Sequence, residues 1–101
     1  MNNGIFGILS LAAKAGKITS GEFSVKEAVL KEKAKLVIVS EDASDNTKKL
    51  FTDKASYRNI PVLTFGTKKD LGRAIGKEAR SSIAVLDEGF KEIILKKSGD
   101  I

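Results

Sequence analysis

The chain of 101 residues contains no cysteine, no histidine and no tryptophan, and its aromatic side chains are five phenylalanines and one tyrosine. Without thiols or imidazoles, the common zinc sites, thiol chemistry and imidazole acid–base catalysis are excluded. A disulfide-stapled secreted scaffold is excluded too, so a reducing cytoplasm is the expected location. So sparse an aromatic set argues against a sheet on which successive bases stack. No apolar run approaches the ~20 residues that a membrane span requires, and Met1-Asn2-Asn3-Gly4 lacks the basic start of a signal peptide. Proline occurs once, at Pro61, and no Pro/Gly/Ser linker, repeat or low-complexity tract divides the chain. The expectation is a single domain over residues 1–101, large enough to bury a core unaided, monomeric and free of any membrane.

What is present is a regular alternation of helical and extended patterns. Hydrophobic residues make up 42% of the chain and charged residues 31%, the composition of a globular protein. Ile5, Leu9, Ala12 and Ala13 recur at helical spacing, with Gly16 as a stop. Lys17-Ile18-Thr19 reads as extended. Ser20-Gly21-Glu22 then opens a second helix whose buried stripe is Val25, Ala28 and Val29. Leu36-Val37-Ile38-Val39 is a continuous apolar run of the kind found in strands covered on both faces. Ser44 or Asp45 caps a third helix burying Leu50, Phe51 and Ala55. Ile60–Phe65 reads as the next strand, with Pro61 near its start. Thr67 and Asp70 are spaced like a capping box ahead of Leu71, Ala74 and Ile75. Ser82–Leu86 forms a last strand, and Phe90, Ile93 and Ile94 a closing amphipathic helix. The pattern predicts a three-layer α/β/α sandwich around a mixed, mostly buried sheet of about four strands. Val37, Val39, Leu63, Ile75 and Val85 are expected among its most buried residues.

The formal charge is +5, unevenly spread. Residues 14–35 and residues 66–82 each carry a net +3, whereas residues 36–65 are balanced. Each basic segment contains a glycine-marked loop beside a helix end. If the two loops meet, lysine and arginine charges join exposed backbone N–H groups in a surface suited to phosphate. The competing reading is that these lysines merely solvate helix faces. Enzymatic motifs fail: Gly72-Arg73-Ala74-Ile75-Gly76-Lys77 has three residues between its glycines instead of four, and Glu78 follows the lysine where Ser or Thr is required. Glu41-Asp42 after a strand fits loop capping better than acid–base work. No catalytic residue, metal or cofactor is expected.

Ala34-Lys35-Leu36-Val37-Ile38-Val39, Glu41-Asp42-Ala43, Asn59-Ile60-Pro61-Val62 and Leu71-Gly72-Arg73-Ala74-Ile75-Gly76-Lys77 follow Gly21 in that order. This ordered set, running from about Lys17 to Val85, resembles the kink-turn RNA-binding ribosomal protein superfamily. Ser20-Gly21-Glu22, Glu41-Asp42-Ala43-Ser44, Asn46-Thr47 and Gly76-Lys77-Glu78-Ala79-Arg80 look most like its bacterial YlxQ-type branch. The resemblance implies a non-enzymatic protein of translation. Its partner would be structured RNA, either rRNA or another kinked, internally looped duplex. In the family, the glycine loop with the start of the next helix enters the widened groove, and the loop before the last strand covers bulged nucleotides. Carried over, this implicates Lys17, Ser20, Gly21, Glu22, Phe23, Ser24 and Lys31, together with Lys77, Ala79, Arg80 and Ser81. Lys31 and Arg80 are expected to flank the cleft. Phe23 and Ser24 occupy positions where the family has a base-reading Asn or Lys and Glu or Gln, and Glu27 stands where a lysine is usual. Phe23 therefore has two readings: a hydrophobic staple for the helix, or a ring that contacts an unpaired base. Two alternatives stand beside RNA binding, a protein–protein adaptor anchored by Phe23 and, more remotely, a small-molecule enzyme.

Overall fold

The computed structural model describes residues 4–99. Residues 1–3, on which the signal-peptide reading partly rests, and the last two of the expected 1–101 domain lie outside the described residues. The elements run α1 (Ile5–Lys14), β1 (Ile18–Ser20), α2 (Glu22–Leu30), β2 (Leu36–Val39), α3 (Asp45–Ser56), β3 (Val62–Thr64), α4 (Lys68–Ala74), β4 (Ser82–Val85) and α5 (Glu88–Ser98). The strands form one sheet in the order β1-β4-β2-β3. β4 pairs antiparallel with both β1 and β2, while β2 and β3 are parallel. This is the mixed four-stranded α/β/α sandwich that the alternation predicts.

β2 and β4 are central and wholly buried. Their alternating side chains supply two cores, as the period of a strand requires. Leu36, Ile38, Ile83 and Val85 pack with Ile5 and Leu9 of α1, Leu71 of α4 and Ile94 of α5. Val37, Val39 and Ala84 pack on the other face with Val25, Ala28 and Val29 of α2 and Phe51 of α3. Ser44 caps α3 by accepting the Thr47 N–H (3.1 Å), and Thr67 caps α4 by accepting the Asp70 N–H (3.1 Å).

Three burial expectations are corrected. The strand expected over Ile60–Phe65 is confined to Val62–Thr64 and is only half-buried, with Leu63 partly covered and Thr64 exposed. It is an edge strand, paired with β2 alone, so an apolar sequence does not bring two-sided cover. Leu50 is half-buried, leaving Phe51 and Ala55 as the inward residues of α3. Ile93 is 42% exposed, because α5 turns Phe90, Ile94 and Leu95 toward the sheet.

Gly72 fixes where the chain goes after α4. The segment Gly76–Arg80 doubles back along the helix, and the Arg80 N–H donates to the Lys68 carbonyl (2.9 Å) at the start of α4. A Cβ at Gly72 would fall 1.9 Å from the Glu78 carbonyl oxygen, which only backbone movement relieves. Gly72→Ala is therefore expected to lower stability by ~3 kcal/mol, toward the top of the overpacking range. Urea denaturation checks this.

Candidate nucleic-acid interface

β1 carries the chain to the end of the sheet where β4 begins. There the Gly21 N–H donates to the Ser82 carbonyl (3.1 Å), and Arg80 Nε donates to Ser20 Oγ (3.1 Å). These bonds join the glycine loop to the loop between α4 and β4. The second one has a charged donor and is half-buried, so it contributes about 1.5 kcal/mol. Gly21 adopts φ 92° and ψ 149° as the N-cap of α2. That conformation is essentially reserved for glycine, and it turns an extended strand into a helix within one residue. Apart from Gly21 and its chain neighbours, nothing lies within 4 Å of where a Gly21 Cβ would be, so the backbone here faces open space.

The first turn of α2 presents Glu22 and Phe23 to solvent, with Ser24 half-buried behind them. Phe23 is 76% exposed and so does not act as a staple. On the opposing loop Lys77 and Ala79 are exposed, and Arg80 and Ser81 are half-buried. Along the free edge of β1, a cavity of about 510 Å³ is lined by Ser20, Lys77 and Arg80 together with Ala13, Ile18, Thr19, Ile75 and Gly76.

Not every predicted residue is gathered here. Lys17 precedes β1, and its carbonyl accepts the Leu86 N–H (2.8 Å) beyond the opposite end of β4. Lys31 is the C-cap of α2, a full helix length from Gly21, and its ammonium is paired with Glu27 (3.0 Å). The expectation that Lys31 flanks a cleft with Arg80 is thus corrected. A rigid helix separates two positions that the resemblance had joined. Lys31 shares only an i, i+4, i+8 stripe with Phe23 and Glu27.

Sequence reasoning missed other groups at this end. Lys48 of α3 donates to the Glu41 carbonyl (2.8 Å). Asp42 Oδ1 accepts the Lys68 N–H (2.9 Å), so this acid caps α4 across the sheet and not the helix that follows it in sequence. Lys48, Lys68 and Arg80 therefore converge on the end that bears Gly21. The signal for Asp42 was present as an acid after a strand, but its partner lies 26 residues away.

The largest influence on the Asp42 carboxyl is desolvation, which disfavours its charge. The Lys68 N–H, the Ser40 hydroxyl, the Asp42 N–H and the Lys68 ammonium together outweigh it and hold the carboxyl below its ordinary value. A depressed folded-state pKa stabilises the fold above the unfolded carboxyl's range, and that contribution is lost as pH falls through the folded value. An NMR titration is expected to place the Asp42 midpoint below that of an ordinary aspartate. In Asp42→Asn the acid-side loss of stability is expected to be shallower than in the parent.

Residues 4–95 match the model of the ribosomal protein L7Ae/L30e/S12e/Gadd45 family. The RNA-binding protein YlxQ of Bacillus subtilis is 47% identical over 85 residues, covering 84% of this chain and 85% of the relative. The large ribosomal subunit protein eL30 of Tetrahymena thermophila is 35% identical over 88 residues, covering 85% of each. Among solved structures, a Giardia lamblia 15.5kD RNA binding protein shares the fold, with a TM-score of 0.80 at 20% identity over 95% of this chain and 82% of the other.

Proposed function

Since the chain belongs to the ribosomal protein L7Ae/L30e/S12e/Gadd45 family, whose matched relatives are RNA-binding and ribosomal proteins and not enzymes, we propose that it binds structured RNA through the Gly21–Arg80 end. The target class is a kink-turn or a related internally looped RNA, with ribosomal RNA the foremost case. The reading takes the protein to act in the cytoplasm, as a monomer and without a membrane. Among the described residues no helix is long and apolar enough to cross one.

The observation that carries this reading is the Arg80–Ser20 hydrogen bond, which makes one surface of two loops 60 residues apart. Gly21 lets the backbone approach a sugar–phosphate chain. Lys48, Lys68, Lys77 and Arg80 supply cations for phosphate oxygens. Ala79 and Ser81 form a low wall against which an extruded nucleotide rests. Phe23 offers a ring for one unpaired base, and Ser24 a hydroxyl for a phosphate or base edge. Lys17 and Lys31 act only at a distance in this arrangement.

The adaptor reading uses the same exposed Phe23 ring. It leaves the surrounding cations without a purpose, which is why RNA is preferred. Arg80→Glu is expected to weaken binding to a kink-turn RNA and to plain duplex alike, and to flatten the salt dependence by about 0.7–0.9 per lost phosphate contact. Unchanged affinity and slope in a filter-binding series would remove this end as the RNA site.

The first turn of α2 sets discrimination. Phe23→Asn with Ser24→Glu restores the family's base-reading pair and is expected to raise the preference for a standard kink-turn over duplex about tenfold, by ~1–3 kcal/mol of base-edge bonding. A lowered preference would show that the ring does not stand in for that pair.

A further inference from the structure

The charge of residues 14–35 surrounds Gly21 in sequence, yet the fold sends most of it to the opposite end of the sheet. There the Lys17 carbonyl accepts the Leu86 N–H (2.8 Å), the Lys35 N–H donates to the Val85 carbonyl (2.7 Å), and the Val37 N–H donates to the Pro61 carbonyl (3.0 Å). Lys17, Leu86, Lys35 and Pro61 thus stand in a row across the strands, with Lys17 and Lys35 about 10 Å apart at ordinary strand spacing. Lys33 lies in the turn beneath α2, and Arg58 in the turn that leads from α3 to Pro61. Lys17, Lys33 and Lys35 enter no ion pair among the described residues. Of the acids nearby, Asp87 caps α5 by accepting the Phe90 N–H (3.0 Å) and Asp53 pairs with Lys49 (3.4 Å), while Glu32 stands exposed between Lys31 and Lys33 in the turn after α2.

Tyr57 projects from this same end. It is 86% exposed, more than any other large apolar side chain described. The Arg58 guanidinium lies 5.6 Å from its ring centroid and donates to the Lys54 carbonyl (3.2 Å), so the cation is pinned beside the ring by the last turn of α3. Leu50, Asp53, Lys54, Tyr57 and Arg58 line an open cavity of about 400 Å³. An exposed ring beside a fixed guanidinium, at the same end of the sheet as lysines that enter no ion pair, combines a stacking face with phosphate cations. That is the chemistry of single-strand nucleic-acid binding.

We propose that this end is a second RNA contact, separate from the Gly21 end, which stacks one unpaired base on Tyr57 and holds flanking phosphates with Lys33, Lys35 and Arg58. The two contacts would lie on opposite ends of a molecule 25–28 Å across, so one chain joins two segments of a folded RNA.

Tyr57 is the one tyrosine in a chain without tryptophan, so ultraviolet emission reports on this end alone. Titrating the full chain with a short oligouridine is expected to quench that emission and shield it from iodide, in Arg80→Glu as in the parent. Tyr57→Ala is expected to weaken oligouridine binding about 5- to 100-fold, whereas Tyr57→Phe keeps it. Lys33→Glu with Lys35→Glu is expected to flatten the salt slope by about 0.7 per lost contact. Because the ring is exposed, Tyr57→Ala should keep the parent's denaturation midpoint. Three outcomes would overturn the proposal: unchanged emission and iodide access when labelled oligouridine has saturated the chain, parent-like affinity in Tyr57→Ala, or shielding by anionic phospholipid vesicles and not by oligouridine. None of these would touch the Gly21 end, whose test is the Arg80 dependence of structured-RNA binding.

Discussion

The short antiparallel pairing of β1 with β4 is the contact on which the arrangement of the Gly21–Arg80 end depends. β4 is a fixed reference, buried on both faces and laddered to β2 from Ser82 to Val85. β1 has no such cover. It is an edge strand of three residues, held in the register Ile18↔Val85, Thr19↔Ala84 and Ser20↔Ile83. The ladder ends where the Gly21 N–H meets the Ser82 carbonyl, and there Arg80 closes onto Ser20 from the far loop. A one-residue slip would turn Ser20 to the other face of the sheet and break that closure. Gly21 matters for the same reason. Another residue at its φ and ψ would cost about 1–3 kcal/mol, enough to pull an edge strand with so few ladder bonds out of register.

A second constraint comes from direction. α2 begins at the Gly21 end and leaves it, while β1 arrives from the other end. Cations that precede β1 or follow α2 are carried away from Gly21 whatever their distance in sequence. Lys17, Lys31, Lys33 and Lys35 all share this fate. The cations that remain near Gly21 come instead from elements that begin there, namely Lys48 in α3, Lys68 at the start of α4, and Arg80 on the loop that doubles back over Gly72. A net charge counted along the chain is thereby divided into two surfaces, with the buried strands between them.

Most of the fold was legible in sequence because its signals are local. The apolar runs of β2 and β4, the caps at Ser44 and Thr67, and the stripe of Val25, Ala28 and Val29 each depend on neighbours within a few residues. Leu63 was misjudged because two-sided burial depends on strand order, which no local pattern encodes. The site was legible in part. Gly21 and Arg80 could be joined through the family resemblance, and the structure brings them to one end. Lys31 was assigned there through the same resemblance, which does not say that a rigid helix of this chain intervenes. Asp42 was read as a loop-capping acid, but its partner at the start of α4 could not be read, since that pairing is settled by the crossover from β2 to β3 and onward to α4.

If Phe23 and Ser24 act as proposed, a ring and a hydroxyl stand in for a base-reading pair and the kind of selectivity at this surface changes. A bidentate contact to a base edge discriminates by ~1–3 kcal/mol because the wrong base leaves its donors unpaired. Stacking on a ring contributes a similar ~1–3 kcal/mol but is indifferent to which base is stacked. In the proposed arrangement, stacking offsets part of the lost bonding while base identity is largely given up. Under the proposed function, selectivity then falls to shape: an RNA is favoured when its backbone reaches Arg80 and Lys68 while an unpaired base reaches Phe23. A straight duplex satisfies the first condition and not the second, because its bases are already stacked on one another. In that arrangement the Arg80–Ser20 bond holds Arg80 beside the glycine loop, so both conditions are met by one surface and its shape takes over the role that base-edge hydrogen bonds otherwise play.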